Sequence, residues 1–390
     1  MLEVLVGQSE DVDEQEAIAE VLAQIKEGLQ GRAPTAGILF CSIDLQHQEI
    51  LDGLLREFPD IELIGCTTDG EISSQCGFTD DSVALLVFVS DTIEMRAGIG
   101  RNVSSEGRAA GEAAAAACLA GLQRRNGEQQ FAVILSDPLS AGTSGVDRGV
   151  KARLGETFPV FGGVAAAHAK NRKTHQFYNG EVVSDSVVLL LFAGPVRYAF
   201  GIKGGHAPLG LREKVVACEN NVLYRIGDST AYDYFRRYVG AYDLFMNYCL
   251  AVYPDCSDEY FVLSAPSSDE KEGLVRLNGF VPPQAEVQIG TANKEVIASS
   301  CAQSLDTAVR HFGGGEPAGA LFFSCAGRKM IMGTKIGQES EIATKRLPRT
   351  PFIGFYCYGE FGPPAAGEPY RFHGTTFVSL LIGEAEGGSS

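Results

Sequence analysis

The sequence predicts an α/β fold: two domains with mixed parallel/antiparallel sheets covered by helices, built from three related strand–helix–strand–strand units. Three recurrences predict it. A short apolar run ending in Ser appears as Ile38-Leu39-Phe40-Cys41-Ser42, as Val133-Ile134-Leu135-Ser136 and as Ala320-Leu321-Phe322-Phe323-Ser324. A second apolar strand ends in Gly at Leu63-Ile64-Gly65, Val160-Phe161-Gly162 and Phe352-Ile353-Gly354. A long closing strand follows a turn, from Asp81 to Phe88, from Asp185 to Phe192 and from Thr375 to Leu381. Unbroken apolar runs of this length suit strands buried on both faces.

The connecting elements follow in order. Leu51, Leu54, Leu55 and Phe58 fall at i, i+3, i+4, i+7 and place a helix between the first two strands. Val146, Val150 and Leu154 do the same in the second unit, and Ile342 and Leu347 mark a less periodic helix in the third. Strand–helix–strand implies parallel neighbours with a right-handed crossover, and the closing strand, entered from a turn, is expected antiparallel. Ser105 to Arg125 is Ala-rich and helical by propensity. Asp228-Ser229-Thr230 can cap a helix reaching Tyr238. Tyr260 to Gln288 reads as short strands, and Asn293 to His311 as a further helix. The expected domains are residues 1–205, with two units, and 206–390, with the third unit plus inserted strands and helices.

Composition narrows the function. The 390 residues carry 32 Lys+Arg against 49 Asp+Glu, a net charge of −17. Such a surface repels phosphate backbones and anionic lipid, so neither nucleic acid nor membrane is an expected partner. The most strongly apolar runs, Val83 to Val89 and Val187 to Ala193, are seven residues each, against the ~20 that a spanning helix needs. No cation precedes Lys26, and ten cysteines are scattered without paired spacing. The expectation is a cytoplasmic protein with reduced thiols.

The turn after the Gly-ended strand carries the candidate site. Gly65-Cys66-Thr67-Thr68-Asp69-Gly70-Glu71 and Gly354-Phe355-Tyr356-Cys357-Tyr358-Gly359-Glu360 share one spacing. The middle copy, Gly162-Gly163-Val164-Ala165-Ala166-Ala167-His168, puts His168 where the others put Glu. Strand C-ends are where open α/β sheets bind ligands. Glu71 and Glu360 suit recognition of an amine or acid/base work; equally, a carboxylate caps a turn by accepting backbone N–H bonds. Phe355, Tyr356 and Tyr358 can wall an apolar pocket around Glu360. His168 reads either as a satisfied imidazole or as a ligand to haem iron or another metal. Cys66 and Cys357 sit beside carboxylates that raise a thiol pKa, and are expected inert. There is no CxxC, HExxH, CxxCH or Walker pattern.

Leu63 to Ile72, Phe158-Pro159-Val160-Phe161-Gly162-Gly163 and, most specifically, Gly354 to Pro363 resemble the FIST family, with both its FIST N and FIST C regions. The resemblance covers nearly the whole chain. It implies a cytosolic sensory module for small ligands such as amino acids, acting with bacterial signalling enzymes. The chain also resembles, in length, stand-alone members described as haem proteins that sense nitric oxide and act on a histidine kinase or a cyclic-di-GMP enzyme. The expectation is therefore a non-catalytic small-molecule sensor that passes its signal to a partner. Its ligand contacts would be Phe355, Tyr356, Tyr358, Gly359, Glu360, Gly65, Cys66, Gly70, Glu71, Gly162, Gly163 and His168, with His168 as the haem candidate. The alternatives are a haem-based nitric oxide sensor and an enzyme on an amine- or carboxylate-bearing metabolite, with Glu360 and His168 as a base–acid pair.

Overall fold

The computed structural model describes residues 1–123, 129–138, 145–168, 173–239, 248–254, 260–282 and 284–385. Unit 1 runs β1 (Glu3–Ser9), α1 (Glu14–Leu29), β2 (Ala36–Ser42), α2 (His47–Glu57), β3 (Glu62–Thr68), β4 (Glu71–Ser73), β5 (Gly77–Thr79) and β6 (Val83–Val89). Unit 2 repeats that order as β7 (Glu94–Arg101), α3 (Val103–Gly121), β8 (Gln129–Ser136), α4 (Val146–Leu154), β9 (Val160–Val164), β10 (Gln176–Tyr178), β11 (Glu181–Val183) and β12 (Ser186–Ala193). Unit 3 opens with β13 (Val196–Gly204).

The chain then leaves for an inserted region: β14 (Ala207–Glu219), β15 (Val222–Ile226), β16 (Ser229–Thr230), α5 (Ala231–Val239), β17 (Tyr248–Tyr253), β18 (Phe261–Leu263), β19 (Ser267–Asp269), β20 (Leu274–Arg276) and β21 (Glu286–Thr291). It returns through α6 (Lys294–Phe312), β22 (Gly319–Cys325), α7 (Ala326–Met332), α8 (Gln338–Arg346), β23 (Phe352–Cys357), β24 (Glu360–Gly362), β25 (Arg371–His373) and β26 (Thr376–Glu384). Each unit thus has a leading strand and helix that the sequence reading did not assign to it.

Three six-stranded mixed sheets result, with orders β1-β6-β2-β3-β10-β11, β7-β12-β8-β9-β24-β25 and β13-β26-β22-β23-β4-β5. In each, four strands come from one unit, and the small hairpin at the edge comes from another. Unit 1 lends β4–β5 to unit 3, unit 3 lends β24–β25 to unit 2, and unit 2 lends β10–β11 to unit 1. The exchange closes a ring of three.

Strand alternation between two covered faces explains why the centres of β2, β8 and β22 are apolar. Ile38, Phe40, Val133, Leu135, Leu321 and Phe323 face a shared central core, where Phe40 lies 4.4 Å from Phe355 and Phe131 stacks 4.4 Å from Phe192. Leu39 and Cys41 face outward beneath α1 and α2, and Ala320 and Phe322 beneath α6 and α8.

The recurring strand Gly has one cause. A Cβ on Gly65, Gly162 or Gly354 would lie 2.3, 1.8 or 2.6 Å from the carbonyl oxygen of its partner, Leu39, Ile134 or Phe322. Only glycine permits that approach. This register also corrects the alignment of the first strands: Ser136 and Ser324 are equivalent to Cys41, and Ser42 lies one residue further on.

Candidate functional site

The three turns meet at one end of the central core. Backbone bonds stitch each to the next: Asp69 N donates to Tyr356 O and Tyr356 N to Gly70 O, Val164 N to Gly359 O and Tyr358 N to Val164 O, and Ala166 N to Thr67 O. Gly65, Cys66, Gly70, Gly162, Gly163, Phe355 and Gly359 are therefore brought together as frame. Gly70 and Gly359, at φ 109° and 147°, hold a conformation that side chains rarely adopt, and each sends the following Glu inward.

Each unit forms a buried corner where its hairpin starts under its closing strand. Glu71 accepts from Thr68 Oγ1 and, at 2.7 Å, from Ser82 Oγ. Glu360 accepts from Cys357 Sγ at 3.2 Å, and from Thr376 through its backbone N–H at 2.9 Å and its hydroxyl at 2.5 Å. Both carboxyls are completely buried. Burial pushes Glu71 up to about 8 and Glu360 up to about 7, against the hydroxyl and amide donors that favour the charged form.

The third corner corrects the expected alignment. Glu71 pairs with Phe355, Glu360 with Gly163 and Gln176 with Cys66, each one residue past the conserved-register Gly. Gln176, not His168, is the equivalent of the two glutamates, because the turn of unit 2 is eight residues longer. Gln176 is fully buried, and among the described residues neither of its amide atoms has a hydrogen-bond partner; nor does Ser136 Oγ. Ala165 stands where Thr68 and Cys357 supply donors, and Ser186 turns its hydroxyl to Ser184 O.

The longer turn carries His168 across to unit 1. There its Nε2 lies 2.9 Å from Asp81 Oδ1 and 3.5 Å from Asp44 Oδ2, and its Nδ1 lies 3.5 Å from Asp69 Oδ1. Asp69 is buried, which pushes its carboxyl up; Lys329, 3.6 Å away, and His168 draw it back. Lys329 also contacts Asp80. Ser42 Oγ donates to the same Asp81 oxygen at 3.0 Å. Donor atoms of Asp44, Asp81 and His168 lie within 4.8 Å of one another, close enough to share a proton, a water or a cation. Asp44 and Asp81 are exposed and His168 half-buried, so the cluster opens to solvent.

Two expected roles change. His168 shares its corner with Glu71 through the consecutive residues Asp81 and Ser82, whereas Glu360 is engaged with Cys357 and Thr376. The His168 site does not fit haem: both ring nitrogens face carboxylates, where an axial ligand needs a free nitrogen above an apolar slot. Tyr356 is fully buried and faces away from the turns, donating to Glu339 Oε2 at 2.7 Å. Glu339 there accepts from buried Arg328 at 2.5 Å and from Ser324 at 2.9 Å, a network that no sequence pattern announced. Tyr358 is half-buried and donates its backbone N–H to Val164 O. Burial pushes the Cys66 and Cys357 thiols up. Thr376 and His373 line a cavity of about 410 Å³, with Glu360 directly behind Thr376.

The expectation of a non-catalytic sensor is overturned by the His168 cluster. It rested on the family resemblance together with the lack of any local motif that carries chemistry, but the fold gathers Asp44, Asp69, Asp81 and His168, from separate parts of the chain, into one cluster. Among the described residues no helix is long and apolar enough to cross a membrane.

An uncharacterized protein of Methanocaldococcus jannaschii is 26% identical over 237 residues, 57% of this chain and 44% of its own length, so the match spans under half of that relative. An uncharacterized protein of Mycobacterium bovis is 21% identical over 98% of this chain and 99% of its own. Among solved structures, the cyanuric acid hydrolase from A. caulinodans aligns with TM-score 0.41 and 8% identity over 99% of this chain and 100% of that one. A second cyanuric acid hydrolase structure aligns at 0.35 and 8% over 98% and 99%. The sequence matches the FIST N domain over residues 35–229 and the FIST C domain over residues 231–363, and the chain belongs to the FIST family.

Proposed function

We propose that the chain is an enzyme performing general acid–base chemistry on a small amine-bearing metabolite at the His168 corner. The observation that carries this reading is the imidazole itself, set 2.9 Å from Asp81 on one side and 3.5 Å from Asp69 on the other. A histidine oriented by carboxylates is the commonest device for moving a proton to or from a bound reactant. Asp44, Asp80 and Asp81 supply the field that draws a cationic substrate to it. Ser42 bonds to Asp81 rather than to the imidazole. A serine nucleophile needs the imidazole between itself and the carboxylate, so the order favours activation of water or of the substrate. The converging turns, with Glu71 and Tyr358, enter this reading as the frame that fixes His168.

The test is a turnover screen by NMR over amine-bearing amides, esters and lactams, with native protein and His168→Asn. A substrate whose turnover falls by about a hundredfold or more in His168→Asn, at unchanged melting temperature, is the expected result. Turnover equal in the native protein, His168→Asn and Asp81→Asn would remove the reading.

A further inference from the structure

Units 1 and 2 supply the groups around the His168 ring. Unit 3 reaches the same corner through one side chain, Lys329 on α7. The residue before it fixes that helix. Arg328 is completely buried and bonds Glu339, the Ser300 hydroxyl at 2.9 Å and Ile297 O at 3.0 Å. One position further round the helix, the Lys329 side chain leaves unit 3 and crosses to unit 1. Its Nζ lies 5.8 Å from the centre of the Phe78 ring, and only 18% of the side chain is exposed.

The ammonium ends on unit 1. Nζ donates to Asp69 O at 2.7 Å, contacts Asp80, and lies 3.6 Å from Asp69 Oδ1. That last oxygen is the one 3.5 Å from His168 Nδ1. One buried carboxylate oxygen therefore stands between the ammonium of unit 3 and the imidazole of unit 2. The Asp69 backbone is fixed, because its N–H donates to Tyr356 O and Gly70 follows at φ 109°. The direction of its carboxyl is left to these two partners, and among the described residues it meets no other cation. Without the ammonium, the carboxylate would pair with the imidazole alone. Such a pair holds on the ring the proton that a base has to release.

We infer that Lys329 is a positioning residue for the His168 site: it holds the Asp69 carboxylate between itself and Nδ1, so that Asp69 orients the imidazole without becoming its exclusive partner. This rests on the reading of His168 as the group that moves the proton. The other titratable groups that face the pair, among the described residues, are Asp44, Asp80 and Asp81 of unit 1, Tyr358 of unit 3, which feels the Asp69 charge, and Glu71 buried behind Ser82. None of them is a cation, so none replaces the ammonium.

The test follows the His168 ring protons against pH by NMR, with the resonance assigned through His168→Asn. Native protein, Lys329→Met, Asp69→Asn and the double variant are compared, with Lys329→Arg as the conservative control and melting curves to verify folding. Expected in Lys329→Met is a half-protonation pH about one unit higher than in native protein. Lys329→Arg should stay near native. In the Asp69→Asn background the effect of Lys329→Met should shrink by about half or more. Lys329→Gln, which keeps a hydrogen-bond donor and loses the charge, carries the same expectation if Lys329→Met does not fold. An unchanged or lower midpoint, or an equal displacement with and without the Asp69 carboxylate, would overturn the inference, because a charge acting from a distance needs no carboxylate between. The catalytic reading fails in the turnover screen and this one in the titration, so the two failures are distinct.

Discussion

The corners of units 1 and 3 and the corner of unit 2 share one backbone path and differ in what it buries. In the first pair a carboxyl is enclosed with donors on both oxygens, from Thr68 and Ser82 for Glu71 and from Cys357 and Thr376 for Glu360. In unit 2 the donor position is Ala165, the second hydroxyl is turned away, and the carboxyl is replaced by the neutral amide of Gln176, which has no partner among the described residues. An unmet amide costs far less to bury than an unmet carboxylate. The repeat therefore keeps its shape where the carboxyl is lost, and loses the carboxyl where the donors are lost. The same unit then spends its longer turn on His168, which completes the corner of its neighbour.

The sharpest way to break this comparison is to empty a satisfied corner. Glu360→Ala leaves the buried Thr376 hydroxyl and N–H without their carboxyl partner, and should cost on the order of 3–5 kcal/mol by denaturant titration; a loss below about 1 kcal/mol would show that the donors are not committed to the carboxyl. Next comes pH. Glu71 and Glu360 hold their protons in the folded protein above the ordinary carboxyl value of 4.5, up to about 8 and about 7. Between those limits the native state binds more protons than the unfolded chain, so stability should fall as pH rises from about 4.5 to 8. Glu71→Gln should flatten that decline, and an unchanged slope would contradict the raised value.

Charging the unit 2 corner gives a smaller effect. Gln176→Glu should destabilise by about 2–3 kcal/mol at pH 8 and by less at pH 5. Adding Ala165→Thr should restore about 1 kcal/mol, and additivity in this double-mutant cycle would deny that the corners are equivalent. The smallest change is Gln176→Met. Replacing an unpartnered amide by an apolar side chain of similar volume should be neutral or stabilise by up to about 1 kcal/mol, and a clear loss would mean that Gln176 holds a partner the other corners lack.

Much of the fold was legible because buried strands are apolar without interruption, and their glycines recur wherever a neighbouring carbonyl leaves no room for a Cβ. The leading strands were missed because β7 and β13 alternate between buried and partly exposed residues. The Gly-Glu turns were found by spacing, and the structure does bring them together. The alignment of His168 with the glutamates failed because spacing cannot register an eight-residue insertion. Pairing of Gln176 with Cys66 is a property of the sheet edge, not of the turn. The heads of the closing strands, Asp81-Ser82, Asp185-Ser186 and Thr375-Thr376, were read only as strand starts; Ser82 and Thr376 supply hydroxyls to the corners of units 1 and 3, while Ser186 turns away.

By itself the sequence determined the α/β class, the threefold recurrence and the turns, because these follow from local pattern: apolar periodicity, glycine where the backbone is crowded, and a polar residue at each strand end. Only the tertiary structure decided which unit lends its hairpin to which, and hence that His168 of unit 2 meets Asp44, Asp69 and Asp81 of unit 1. That choice depends on closing a ring of three sheets around one core, and no segment of the chain carries it alone. The acidity of the chain shows the same division. Its total was readable from composition, but the fold alone gathered acids around the imidazole.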